Sequence, residues 1–512
     1  MSDRTRPPVL VGDHPLSLEE YRQVSEGRAT ARLAESAVAR MDRHRESLFR
    51  QLGGGARVYG VNTGYGADST TLLEPEEIRT VQRNTVLSHA MGAGPPAPAE
   101  IVRGMLLLKA NVMAMGYSAV RPMLAARLLE FIDHDLLPVV PEQGSLAASG
   151  DLVPCGHLGA ALLGEGDVLL GERLVPAADA LAGAGLAPLE VEEKEGLAIV
   201  NGTAFTEAYA LAAVLRAERL LRAADVAAAA TLQALHGFLA AFDPRALRPR
   251  PFPGALLVAE NVSGLCRGGT LLDQPRARVH DPYCLRCVPQ VHGASRDAFR
   301  YVKEAVLVEL NSFTDNPLVF ADDDTVISAG NFHAQPVGIP MDTLTILVAE
   351  LASISQRRIQ HLVAPVYDIG LPPKLSPEPR LGSGLFMLNT TAAALVSENK
   401  VLSFPASVDS MAVDTVEDHV SMGSVGARKA MQVLANTAQV LAAELVCACQ
   451  AIELQSPLRP SPEVAAVARM VRETIPFVTH DRGLHREVAA LAAGLLAGSL
   501  DRSLETSGIV IA

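Results

Sequence analysis

Apolar positions recur along most of this chain at a spacing near 3.6, the period of one helix face. Leu344, Leu347, Val348, Leu351 and Ile354 form one such stripe, and the pattern predicts helices over about 290–310, 342–362, 390–402 and 423–454. Residues 202–242 read as one long Ala/Leu helix, and helical signals dominate from about Glu76 to Asp135. Ser17-Leu-Glu-Glu20 reads as a capping box that opens a helix near the N-terminus. Leu434–Ala451 is apolar on more than one face, which predicts burial inside the subunit or between subunits. Against this background Arg57–Asn62 reads as a short strand, followed by the Gly-rich loop Thr63-Gly64-Tyr65-Gly66. Pro138–Gly150 reads as a loop leading into a helix that Asp151 can cap. Pro244–Pro282 reads as irregular, and Pro457–Pro462 as a hinge before two final helices.

Composition sharpens this picture. Apolar residues make up 49% of the 512 positions, aromatics only 4%, and Trp is absent, so the core is built from Ala, Leu and Val. Small aliphatic side chains suit close helix–helix packing. A net charge of −13 argues against a nucleic-acid partner, because phosphate binding needs a basic surface. Six cysteines in so long a chain do not make a disulfide framework. Met1-Ser2-Asp3-Arg4 lacks the apolar core of a signal peptide. The most membrane-like run, Val226–Phe242, is short for a span. A reducing, cytoplasmic setting without a membrane is expected.

The sharpest local feature is Gly144-Ser-Leu-Ala-Ala148-Ser149-Gly150-Asp-Leu-Val-Pro. If the backbone bends tightly there, the Gly150 nitrogen can attack the Ala148 carbonyl. Glycine suits this because it has no Cβ and tolerates strained dihedrals. Loss of two waters would leave a methylidene-imidazolone, an electrophile that no ordinary side chain supplies. A helix N-terminus following it would favour developing negative charge.

Six other segments accompany this loop in order: Val58-Tyr59-Gly-Val-Asn-Thr-Gly-Tyr-Gly66, Gly196-Leu-Ala-Ile-Val-Asn201-Gly-Thr203, Asp281-Pro-Tyr283-Cys-Leu-Arg286-Cys287, Asp315-Asn316-Pro317, Gly330-Asn-Phe332-His333 and Glu417-Asp-His-Val-Ser-Met422. Together with Gly144–Gly159 they resemble the histidine, phenylalanine and tyrosine ammonia-lyases and the related aminomutases, over about residues 55–455. The fold this implies is mainly α: a globular N-terminal domain with few short strands over 1–205, then a long-helix bundle and C-terminal helices over 206–512, an ammonia-lyase/fumarase-like architecture. The resemblance also implies a homotetramer with active sites shared between subunits. It implies a methylidene-imidazolone formed from Ala148, Ser149 and Gly150, with no dissociable cofactor and no metal.

The resemblance further assigns roles. Tyr59 matches the base that removes the β-proton of an amino-acid substrate. Its phenol, with an ordinary pKa of about 10, must be lowered or deprotonated on demand. Arg286 matches the residue that holds the substrate carboxylate, which a guanidinium fork binds bidentately. Tyr283 and Asn201 match residues that position the electrophile and the amino-acid head group, and Phe332 matches an aromatic beside the electrophile. Ser88-His89 occupies the selectivity segment in the form resembling histidine lyases, and some bacterial tyrosine lyases and aminomutases share it. Glu417 is the second substrate clue, since a carboxylate facing an imidazole stabilises its charged form. Together these favour histidine, with urocanate as product. Two departures from the histidine-lyase pattern are His280, where Gln is usual, and Thr415-Val416, where Asn-Gln is usual.

Tyrosine or phenylalanine lyase, or a 2,3-aminomutase, stays open within the family. A helical scaffold that has lost catalysis is the alternative of another class. The fumarase/aspartase enzymes are disfavoured, because their Gly-Ser-Ser-type loop is missing. Cys284-Leu-Arg-Cys287 has zinc-knuckle spacing but no second Cys/His pair. Cys447 and Cys449 read as packing residues in an Ala-rich helix. Gly53-Gly-Gly55 lacks the setting of a phosphate loop. His333 and His419 lack a carboxylate–histidine helix motif.

Overall fold

The computed structural model describes residues 8–366, 369–409, 411–412, 416–509 and 511. Met1–Arg4 and Thr415, which carried two of the readings above, lie outside the described residues. The chain is mainly α, as expected, with short strands only. The capping box at Ser17 is present, with Glu20 returning the bond to the Ser17 backbone. The long helices are Ala204–Ala234, Val288–Glu309, Gln335–Val363, Phe386–Leu402 and Gly423–Glu453. Leu344, Leu347, Val348, Leu351 and Ile354 are all buried, as their spacing predicts. So is every residue from Leu441 to Ala451, with Cys447 and Cys449 among them.

The chain divides into two compact units. One comprises Met1–Ala212, Glu304–Met341 and Pro405–Arg428; the other comprises Ala213–Lys303, Asp342–Phe404 and Lys429–Ala512. The units are discontinuous in sequence, whereas the expected division was a single cut at 205/206. The strands of the first unit are short. Val9–Val11 pairs in parallel with Ala31–Leu33, and Leu136–Pro138, Asp167–Leu170 and Arg173–Pro176 form an antiparallel sheet. Leu318–Phe320 and Thr325–Ile327 form a hairpin.

Several expectations are corrected. Arg57–Asn62 is not a strand: Asn62 Oδ1 accepts from the Val58 N–H at 2.8 Å, and Gly60 takes φ +65°, which closes the segment into a turn. The helix expected to reach residue 242 stops at Ala234, because His236 is left-handed (φ +50°) and Gly237 N–H returns to Leu232 O at 2.7 Å. Within Pro244–Pro282, Pro253 stands at the first turn of a regular helix, Pro253–Leu265, where its missing N–H costs nothing. Three helices, not two, follow Pro462: Pro462–Thr474, His485–Leu496 and Ser499–Thr506. Among the described residues the helices long and apolar enough to cross a membrane are Gln335–Val363 and Gly423–Glu453, rather than 226–242. Of their apolar windows 67% and 78% are buried inside the protein, as in core helices.

The second unit is pinned by a buried polar network. Arg358 pairs with Glu444, both fully buried, and Glu444 also accepts from Thr231 and Ser355 hydroxyls at 2.7 and 2.6 Å. His292 Nδ1 lies 2.8 Å from Asp225, which also accepts from Arg296 and Asn261. Such pairs add little net stability over an apolar core, but breaking one strands a charge. Arg358→Met is therefore expected to destabilise by about 3–5 kcal/mol, read as a fall in the denaturant midpoint. An unchanged midpoint would show that Glu444 does not need its partner.

Candidate active site

The site is built on the segment the sequence singled out. At Ser145–Asp151 the backbone turns sharply, with Ala147 at φ +53° and Gly150 at φ +77°. Gly150 lies directly against Gly202, itself at φ +91°: a Cβ on Gly150 would stand 2.2 Å from Gly202 O. Asp151 N–H donates to Gly202 O at 2.7 Å. Only glycine fits such an approach.

Asp151 does stand at the N-cap position of the helix Leu152–Leu162, but its side chain does not cap that helix. It accepts instead from Thr206 N–H at 2.7 Å, Thr206 Oγ1 at 2.8 Å and Ser145 Oγ at 2.7 Å. It thus satisfies a donor in the first turn of Ala204–Ala234, which no residue of that helix can do. From far downstream, Ser421 Oγ donates to Ala147 O at 2.8 Å, Met422 N–H to Leu146 O at 3.0 Å and Ser424 Oγ to Ser145 O at 2.8 Å. Both sides of the turn are therefore fixed.

The helix Leu152–Leu162 packs on Pro75–His89 and Glu195–Val200 through small residues. A Cβ on Gly159 would meet Ile199 at 2.5 Å and Val86 at 2.7 Å, and one on Gly156 would meet the His89 backbone at 2.6 Å. These contacts bring His89 and Asn201 beside Ser149.

Tyr59, His89, Ala148, Ser149, Asn201, Phe332 and Glu417 all line one cavity of about 520 Å³ in the first unit. Ser149 Oγ donates to Glu417 Oε1 at 2.8 Å. Gly66 N–H donates to the Tyr59 phenol oxygen at 3.3 Å. His89 Nδ1 lies 2.6 Å from Thr85 O, which can only accept, so Nδ1 donates to it. Val416 also lines the cavity. Ser88 does not; its exposed hydroxyl turns back to Thr85 O. Gly150 serves through its backbone contact with Gly202. His280, Tyr283 and Arg286 belong to the second unit. There His280 is exposed, Tyr283 is 71% exposed, and the Arg286 guanidinium lies over the Tyr283 ring at 4.7 Å with its buried Nε unpartnered.

Sequence reasoning missed several neighbours. Tyr65 lines the cavity edge-to-face with Tyr59, ring centroids 6.2 Å apart. His333 and His419, considered only as metal ligands, line it as a stacked pair at 5.5 Å. Lys109 and Lys194 are buried around Asn201 and Asp315. Lys109 is a lone charge in the apolar run Met105-Leu-Leu-Leu-Lys-Ala, which is a readable signal. Asp151, Glu207 and Glu309 are buried carboxyls near the turn, and burial raises the pKa of each.

Residues 16–473 match the family model for aromatic amino acid lyases. The chain is 45% identical over 489 residues to the histidine ammonia-lyase of Geobacillus thermodenitrificans (strain NG80-2), covering 95% of this chain and 97% of that one. The crystal structure of histidine ammonia-lyase from Trypanosoma cruzi matches with a TM-score of 0.90 at 35% identity, covering 98% of this chain and 95% of that one. Tyrosine aminomutase from Streptomyces globisporus matches with a TM-score of 0.93 at 32% identity, covering 99% and 100%. The chain belongs to the aromatic amino acid lyase family.

Burial pushes the Tyr65 phenol up to about 12, from an ordinary value of 10.0. The folded protein then holds this proton more tightly than the unfolded chain does. The resulting stability is fully present below pH about 10 and is lost as pH rises through about 12. Tyr65→Phe should flatten that part of the pH dependence. Denaturant midpoints across this window check it, and a slope equal to that of the unmodified protein would refute it.

Proposed function

We propose that this chain eliminates ammonia from L-histidine to give urocanate. The observation that carries the reading is the pairing of His89 and Glu417 in one cavity with Ser149. With its Nδ1–H held by the Thr85 carbonyl, the neutral His89 ring offers Nε2 as an acceptor, and a carboxylate is acceptor-only. Two acceptors suit an imidazolium, which has two N–H donors. A phenol has only one.

The prosthetic group that belongs with this reading is a methylidene-imidazolone closed from Ala148, Ser149 and Gly150. The residues fit it: the turn is held from both sides, and the Gly150 position admits no Cβ. The chemistry such a ring supplies is electrophilic, turning the substrate amino group into a better leaving group. Tyr59 removes the β-proton, with the Gly66 N–H stabilising the phenolate. Phe332 packs beside the reacting atoms and helps keep water out. The assembly in this reading is a homotetramer in the cytoplasm. Tyr283, Arg286 and His280 of one copy serve the cavity of another, with Arg286 binding the substrate carboxylate. The exposed Tyr283 ring and the unpartnered Arg286 Nε support that role. The division into an N-terminal electrophile domain over 1–205 and a helical remainder belongs to the same reading.

A tyrosine lyase or 2,3-aminomutase is the second reading, favoured by the likeness to tyrosine aminomutase. Purified protein incubated with L-histidine, L-tyrosine and L-phenylalanine separates the two. Urocanate from histidine is expected, while an unsaturated acid or β-amino acid from tyrosine alone would overturn the proposal. Intact mass should be lower than that of the encoded chain by two waters. Ser149→Ala should lose activity at least about a thousandfold, and its mass should fall below the encoded value by at most one water, because the second comes from the Ser149 hydroxyl.

A further inference from the structure

The motif Asp315-Asn316-Pro317 has no part in the chemistry above, yet Asp315 is buried and in contact with Asn201. We propose that Asp315, paired with Lys194, is a positioning residue that turns the Asn201 amide so that Oδ1 is presented to the cavity as acceptor for the substrate amino group. This rests on the lyase reading but not on which amino acid is the substrate.

The argument is one of donors and acceptors. Asn201 Nδ2 lies 3.0 Å from Asp315 Oδ1. A carboxylate can only accept, so the amide nitrogen must face it and the amide oxygen must face away. Among the described residues no hydrogen bond ends on Asn201 Oδ1, and Asn201 lines the cavity beside Ser149. An acceptor there suits an ammonium or amine N–H, whereas an NH2 group turned the same way would oppose it. The Asn201 backbone is fixed independently, its carbonyl accepting from the buried Lys109 ammonium.

Asp315 keeps this role only while ionised. Its Oδ2 accepts from Lys194 Nζ and Ser118 Oγ, each at 2.7 Å, and its Oδ1 also accepts from Asn316 N–H at 2.7 Å. Lys194 also donates to Asn316 O at 2.8 Å. The ion pair is almost fully buried, with side-chain exposures of 0% and 1%. Burial alone would raise the Asp315 pKa, but Lys194, Lys109 and the hydrogen bonds outweigh it and hold the pKa below the ordinary value. The titratable groups facing the carboxylate are Lys194, Lys109 and, across the cavity wall, Tyr65. Without Lys194 the carboxylate loses its ion-pair partner and its pKa rises; once protonated, its O–H can donate to the Asn201 oxygen. The amide then flips and its NH2 faces the substrate.

The test compares unmodified protein with Asp315→Asn and Lys194→Met. Steady-state product formation is followed across pH, with intact mass and thermal melting measured on the same samples. Asp315→Asn should lower kcat/KM about 100-fold at every pH while still losing two waters. Lys194→Met should match the unmodified protein at high pH and lose a similar factor as pH falls, its acid limb displaced upward by about one pH unit or more. A purely structural role would lower the melting temperature without moving that limb. Asp315→Asn within threefold of the unmodified protein, or a Lys194→Met profile that superimposes on it, overturns the proposal. If either variant fails to fold, Ser118→Ala decides: it keeps the ion pair, and an unmoved acid limb overturns the proposal, while a smaller upward shift supports it. If the unmodified protein makes no urocanate, the histidine reading fails by itself, and the variants are compared on the amino acid it does convert.

Discussion

Two glycines occupy the same few ångströms of space, and the first unit is arranged around that fact. Gly150 and Gly202 are both left-handed, and their backbones touch where any Cβ would collide. The contact joins two segments some fifty positions apart, so that Ser149 on one side and Asn201 on the other enter the same cavity. Asp151 extends the join by leaving its own helix uncapped and satisfying Thr206 at the start of another. Gly156 and Gly159 then let three helices close on one another, which delivers His89 to the cavity wall. Local helix propensity is sacrificed at each of these glycines, and the packing it permits is what places the chemistry.

Charge is handled by the same logic in both units. Lys194–Asp315 and Arg358–Glu444 are ion pairs removed from water, each surrounded by hydroxyls and amides that complete their hydrogen bonds. Neither pair is a large net source of stability, because desolvation offsets attraction. Each admits very few alternative arrangements. In the second unit the pair ties Gln335–Val363 to Gly423–Glu453, and in the first Asp315 accepts from the Asn201 amide at the cavity.

Much of this was legible in the chain before its structure. Helix periodicity located every long helix, with ends displaced by up to eight residues, since a stripe such as Leu344–Ile354 reports burial directly. The motifs named most of the cavity, because Tyr59, His89, Asn201, Phe332 and Glu417 are polar or aromatic residues whose chemistry is recognisable on its own. What was not legible depended on tertiary partners. Val58–Asn62 has strand composition, yet one side-chain amide folds it into a turn. Asp151 looks like an ordinary cap, and only the position of Thr206 reveals whose cap it is. Lys194 carries no local signal at all: its meaning lies in a carboxylate more than a hundred positions away. Tyr65 was read as part of a loop, and its proximity to Tyr59 follows from the turn at Gly60.

The bonds from Ser421, Met422 and Ser424 to the turn at Ser145–Ala147 span more than 270 residues of chain. A ribosome that has released the turn has most of the polypeptide still to make before those clamps exist. Any backbone reaction that depends on the clamped shape is therefore deferred until synthesis is nearly complete. A truncated or stalled product would carry the same three residues as inert peptide. The clamped shape of the turn is thus a property of the nearly complete chain and not of the local segment.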